Sequence, residues 1–237
     1  MIESKHSQEL MFSYISHELK TPVTIVLGYA TALKDGTLSD EEGVQDAIET
    51  ICEKSLVLEQ MIKDLSQLSQ LQTKQYSFNY EYMNCEDLAH IIRKTTLPDL
   101  RNSGIKYTFD IAGDVLRPLN IIADPIRISQ VMSNLIVNSI KYTKPKNHIR
   151  MNITADKHKK HVIIVLTDKG IGISKEDLPH IFESFFKSSN PENAKIQGQG
   201  LGLAISKEII DAHGGEISVK SKYGKGTTFS ILLPVQQ

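Results

Sequence analysis

The hydrophobic period of this chain changes once, at Leu71, and that change sets what the chain can fold into. Before it, Val44, Ile51, Leu58 and Leu65 recur every seven residues. Ile48 and Ile62 sit on a companion seam, and Met61, Leu68 and Leu71 widen it. Seven-residue spacing keeps apolar side chains on one side of a helix. Two long helices with a seam this wide cannot bury it against each other alone, whereas two copies of a helical hairpin can, as a four-helix bundle. Gly36 and the neighbouring "DGTLSDEEG" interrupt the pattern. Ser39 with Glu42 three residues later forms a capping-box start for the second helix. Residues 1–72 are therefore expected to be a helical hairpin that dimerises. A hairpin packed on the rest of its own chain is the competing arrangement, disfavoured by the persistence of the heptad.

Beyond the short polar connection "QTKQYS", the pattern alternates in "SFNYEYM", "IKYTFDIA", "HIRMNITAD" and "HVIIVLTD", with helical stretches between. Residues 77–237 read as a mixed α/β domain, and the whole chain as α+β. Forty per cent hydrophobic residues are enough for a real core, and a net charge of -1 offers no bulk attraction for nucleic acid or anionic lipid. Cys52 and Cys85 lie far apart without metal-ligand spacing, as reduced thiols of a cytosolic chain would. No apolar run approaches the roughly 18 residues of a membrane span. The first residues, "MIESKHSQEL", carry no signal-peptide pattern and start as if inside a helix. A fragment and a continuation from an upstream element both fit that start.

Candidate chemistry lies in five places. Asp124-Pro125 opens a helix whose buried arc is Ile128, Val131, Met132, Leu135 and Ile136. Gln130, Asn134, Asn138 and Lys141 form a polar stripe along its side. Neutral amides ending in a lysine suit a cavity wall that holds a metal or phosphates; a solvated face is the alternative. "DKGIGIS" sets Asp168 at a strand end, before Gly170 and Gly172, where backbone can approach a flat ligand. "GQGLGLAIS", with Gly198, Gly200, Leu201 and Gly202, opens a helix in the layout that cradles phosphate. "YGKGTTF", which includes Thr228, makes a last tight turn before a strand. Finally, His17 is the only one of eight histidines inside a chemical motif. Neutral imidazole is a nucleophile near pH 7, Glu18 is beside it to take its proton, and Thr21 lies one turn on. Pro22 removes an amide from the helix and should bend it there. His213 before "GG" reads as a helix cap. His148, His158, His161 and His180 read as surface.

"FSYISHELKTP", "NLIVNSIKYT", "DKGIGIS", "IFESFFKSS" and "GQGLGLAIS" resemble, in this order, the H, N, G1, F and G2 boxes of sensor histidine kinases of two-component systems. The resemblance covers nearly the whole chain. It implies a dimerisation and phosphotransfer domain over 1–72 and an α/β-sandwich ATP-binding domain over 77–237. By resemblance, His17 accepts the γ-phosphoryl of ATP and passes it to an aspartate on a response-regulator receiver domain. Glu18 is the base, and Thr21 positions water for dephosphorylation of the regulator. Asn138 holds Mg²⁺ between the phosphates, with Asn134 alongside. Lys141 and Tyr142 flank the nucleotide, and Asp168 accepts from the adenine amino group. Lys187, the glycines named above, Leu201 and Thr228 complete the cofactor set. The implied assembly is a homodimer in the cytosol, without nucleic acid, reaching a membrane only through an upstream region.

Three positions depart from the family pattern. Ser184 and Lys187 stand where the F box often has arginine, and Gln199 where a small hydroxyl is common. "KSSNPENAKIQGQ" between them reads as a mobile lid pinned by Phe182, Phe185 and Phe186. The departures leave a second reading, a catalytically weak nucleotide-binding dimeric scaffold that recruits a regulator. A third, an ATPase of the mismatch-repair or heat-shock type, fits poorly with the H box and the heptads. A hinge is expected near 72–77.

Overall fold

A computed structural model of the protein describes residues 2–188 and 198–236, with side chains from Ile15 onward. The chain forms two compact units, Met1–Ser69 and Gln70–Gln237.

The first unit is built from α1 (Ile2–Lys34) and α2 (Glu41–Gln72). Between them Gly36 takes φ +70°, which turns the chain at no steric cost. The cap of α2 lies one residue beyond the expected Ser39. Asp40 accepts from the Gly43 amide at 2.9 Å, and Glu41 and Glu42 fall in the first turn, where negative charge is favoured. The apolar seam of α2 divides in two. Ala47, Met61 and Leu68 are buried within the chain and Val44, Ile51, Leu58 and Leu65 are half-buried, while Ile48 and Ile62 stand 45% and 61% exposed. On α1, Val23 and Leu27 are exposed as well. The companion seam is therefore a separate, uncovered apolar face.

The second unit is a two-layer sandwich. Its main sheet has the order β2-β4-β5-β7-β6, from Lys106–Ile111, His148–Ala155, His161–Asp168, Gly226–Pro234 and Glu216–Lys222; β2 and β4 are parallel and the other pairs antiparallel. A two-stranded sheet pairs β1 (Glu81–Asn84) with β3 (Asn120–Ala123). The helical layer is α3 (Cys85–Asn102), α5 (Pro125–Tyr142) and α6 (Gly202–Ala212), with a single-turn α4 (Gly113–Leu116) at the side. Alternation along the strands sends Ile149, Met151, Ile153, Val162, Ile164, Leu166, Phe229, Ile231 and Leu233 to the helix side. There they meet Leu88, Ile92, Met132, Leu135, Ile136, Ile205 and Ile209, each burial contributing about 1.5–3 kcal/mol. The strand expected from "SFNYEYM" begins only at Glu81; Tyr76, Phe78 and Tyr80 stack on one another instead. Among the described residues no helix is long and apolar enough to cross a membrane.

Candidate nucleotide and phospho-acceptor sites

Helix α5 is aimed by its cap. Asp124 accepts from the Ile126 and Arg127 amides, both at 3.1 Å, and Pro125 takes the first position. Its arc of Ile128, Val131, Met132, Leu135 and Ile136 is fully buried. That fixes the rotation of the helix and leaves Gln130, Asn134 and Asn138 half-buried, with Lys141 exposed, along one side.

The two asparagines have different surroundings. The Asn134 amide donates to the Gly202 carbonyl at 3.2 Å and to the Ser206 hydroxyl at 3.4 Å, which ties α5 to the first turn of α6. The Asn138 carboxamide, one turn on, makes no hydrogen bond to any described residue. It is a half-buried neutral oxygen with its coordination capacity intact.

Asp168 ends β5 and is 5% exposed. Its Oδ1 accepts from the Gly170 amide at 2.8 Å and the Thr227 amide at 3.2 Å, and its Oδ2 from the Ser139 hydroxyl at 3.3 Å. Burial pushes its pKa up, and the Gly170, Thr227 and Ser139 bonds oppose that rise. Oδ1 takes two amides and Oδ2 only one hydroxyl, so a ligand amine would find its acceptor at Oδ2. The loop that follows is held against the end of α5 by the Ile171 amide on the Tyr142 carbonyl, 3.1 Å. A Cβ at Gly170 would come within 2.5 Å of that same carbonyl, and one at Gly172, which has φ +71°, would collide with the Lys222 carbonyl.

The F-box segment meets the glycine loop directly. The Phe185 amide donates to the Gly200 carbonyl at 2.8 Å. Both residues have positive φ, +65° and +70°, and a Cβ on Gly200 would lie 2.7 Å from the Phe185 carbonyl carbon. Leu201 is buried and heads α6 with no side-chain cap, so among the described residues no side chain satisfies the first amides of that helix. Gly198 has open space around it, and Gly202 only ordinary contact with Asn134. The Gln199 Oε1 is buried without a partner. Burial pushes the Tyr142 phenol up, and the Lys187 charge, close by, opposes it. The expected lid falls largely on residues 189–197, which lie outside the described residues.

One expected site residue is displaced. Asp168 pairs in register with Thr227, whose backbone reaches its carboxylate, whereas Thr228 faces the other side of the sheet with its hydroxyl 3.1 Å from that of Thr167. Alternation is the cause: Phe229, Ile231 and Leu233 share the parity of Thr227 and are buried. That parity was open to sequence reasoning. Ser139, buried among apolar neighbours, had no such signal.

In the first unit His17 is 80% exposed, with Nδ1 3.9 Å from Glu18 Oε1. That is beyond hydrogen-bond length but adjacent. Thr21 is exposed one turn on, Pro22 is buried, and α1 runs through it as one helix. No cluster of His, Cys, Asp and Glu that could hold a metal occurs among the described residues.

Residues 7–74 match the His Kinase A (phospho-acceptor) domain, and residues 123–237 match the histidine kinase-, DNA gyrase B- and HSP90-like ATPase family. The chain belongs to the sensor histidine kinases. Sensor protein SrrB of Staphylococcus aureus is 33% identical over 220 residues, 93% of this chain but 37% of that relative, so the chain spans little more than a third of such a sensor. The Acinetobacter baumannii histidine kinase AdeS has a similar structure, with TM-score 0.71 and 25% identity over 93% of this chain and 98% of that one. So does histidine kinase ThkA, solved in complex with response regulator protein TrrA, with TM-score 0.74 and 25% identity over 98% of this chain and 63% of that one. In this kinase core the phospho-acceptor model falls on the unit that holds His17, and the ATPase model on α5, Asp168 and the glycine loop.

Proposed function

We propose that this chain is an ATP-dependent protein-histidine kinase. Residues 1–72 serve as the dimerisation and phosphotransfer domain and residues 77–237 as the ATP-binding domain. The observation that carries the reading is the Asp168 carboxylate: buried, held by two amides on Oδ1, with Oδ2 taking only the Ser139 hydroxyl and keeping a lone pair for an amine. A purine amino group is such a donor. Asn138, with no partner among the described residues, suits Mg²⁺, which takes few protein ligands when phosphates supply the charge. When bound, the ion would neutralise charge developing on the phosphates. Lys141 and Tyr142 flank the nucleotide, Lys187 meets its phosphates, and the uncapped amides of α6 face them across Gly198, Gly200, Leu201 and Gly202.

Once the two units dock, His17 Nε2 attacks the γ-phosphorus as the bond to the bridging oxygen of ADP breaks. The proton on Nδ1 passes to Glu18, leaving the ring of the phosphohistidine neutral. The acceptor of that phosphoryl group is an aspartate of a response-regulator receiver domain, as the partner of ThkA suggests. Thr21, one turn from His17, positions water for the reverse duty, hydrolysis of the phosphorylated regulator. The uncovered Ile48 and Ile62, with Val23 and Leu27, supply the homodimer face. A reaction fed by ATP belongs in the cytosol, including where the whole sensor is anchored in a membrane.

The test is incubation with γ-labelled ATP and Mg²⁺ beside His17→Gln and Asn138→Ala. Acid-labile, base-stable label on the parent alone supports the reading. Bound ATP with no label would instead favour the scaffold.

A further inference from the structure

The stretch that follows α2 is closely held. The Gln75 and Tyr76 amides both donate to the Gln70 carbonyl, at 2.9 and 3.2 Å, closing the end of α2. From Tyr76 onward the side chains are gripped by the second unit. Arg127 lies over the Tyr76 ring at 5.0 Å, the Asn79 amide donates to Asp124 Oδ2 at 3.0 Å, and the Tyr80 hydroxyl donates to the Ala212 carbonyl at 2.8 Å.

His213 stands at the centre of this grip. Its Nδ1 meets the Ile209 carbonyl at 2.7 Å and its Nε2 meets the Asp124 amide at 3.0 Å. A carbonyl only accepts and an amide only donates, so the ring is neutral, with its proton on Nδ1. The rings of Phe78 and Tyr80 lie against it at 5.3 and 5.1 Å. Asp124 caps α5 through Oδ1 and takes Asn79 through Oδ2, so one carboxylate serves both the asparagine helix and the connection. Ala212 ends α6, whose other end is the glycine loop.

We propose that His213 is a positioning residue for phosphoryl transfer: with Asp124, Asn79 and Tyr80 it clamps the connection to the far ends of the two helices that carry Asn138 and the glycine loop. The ATP unit then swings toward His17 with the connection held rigid, and the bending falls on the α2 end, at Thr73 and Lys74, where Lys74 already has φ +55°. This rests on the kinase reading only for its effect on turnover.

Two variants separate a clamp from a helix cap. In His213→Asn the amide nitrogen occupies the Nδ1 place and keeps the Ile209 bond, but reaches no further. In His213→Gln the side-chain oxygen reaches the Nε2 place and keeps the Asp124 bond. Hydrogen exchange of the Asn79 amide in the full chain reads the clamp without nucleotide, so it stands apart from any failure of the kinase reading. The expected result is exchange about tenfold faster in His213→Asn, the loss of one buried hydrogen bond, and near parent values in His213→Gln. Autophosphorylation turnover should fall in His213→Asn with the ATP KM unchanged, and recover in His213→Gln. The opposite ranking would overturn the clamp and leave a helix cap. Equal losses of ATP affinity in both variants would overturn it too, as general destabilisation.

Discussion

Asn134 and Asn138 look alike in sequence and should behave oppositely when truncated. Asn134→Ala removes bonds of 3.2 and 3.4 Å, at the long end of the useful range. The Gly202 carbonyl still receives the Ser206 hydroxyl at 2.7 Å, so no acceptor is orphaned. The cost is therefore about 1 kcal/mol, or roughly 2–4 °C in Tm for a unit of this size. Asn138→Ala removes no bond to a described residue, and its stability should stay within about 0.5 kcal/mol of the parent. Nucleotide reverses the order. Mg-ATP at a hundredfold over Kd stabilises the parent by about 2.7 kcal/mol, roughly 5–11 °C. Asn134→Ala should keep most of that gain and Asn138→Ala almost none. Scanning calorimetry of the full chain, with and without Mg-ATP, measures both. An Asn138→Ala chain that melts early when empty, or still gains fully from Mg-ATP, would refute the division between brace and ligand.

Three further outcomes follow from the geometry. Asp168 has a raised folded pKa, so its ionised form costs stability that grows as pH rises from 3.8 through the folded value; Asp168→Asn should leave the empty chain at least as stable at pH 7.5 yet lose ATP binding by calorimetric titration. His213 has a lowered folded pKa, from burial, against the opposing Ile209 bond and Asp124 charge; its contribution is complete above 6.5 and is lost as pH falls from there toward the folded value, so His213→Asn should flatten that part of a stability-against-pH curve. Ile48→Glu with Ile62→Glu should leave helix content unchanged by circular dichroism but yield monomers in sedimentation, because both side chains are exposed within one chain; a persistent dimer would place its interface elsewhere.

Periodicity made the architecture legible because it is a local consequence of burial: the heptad of α2, the alternation of β4 and β5 and the arc of α5 all lie where the pattern put them. The failures fall where two local signals compete or where the partner is distant. Ser39 and Asp40 are both good caps, and only the path of the turn after Gly36 selects Asp40. Thr227 and Thr228 differ by parity alone. His213 could be read as a cap for α6, but its second bond is to Asp124, 89 residues away, which no neighbouring pattern records. Gly200 carries the same lesson further. Its motif suggests a glycine that lets backbone approach phosphate. Its Cβ would strike the backbone of Phe185, a phenylalanine held at φ +65° at a cost of about 1–2 kcal/mol. The glycine is thus required first by the joint between the F-box segment and the glycine loop. A change at either residue should disturb both ends of the segment that leads into α6, and only then the nucleotide.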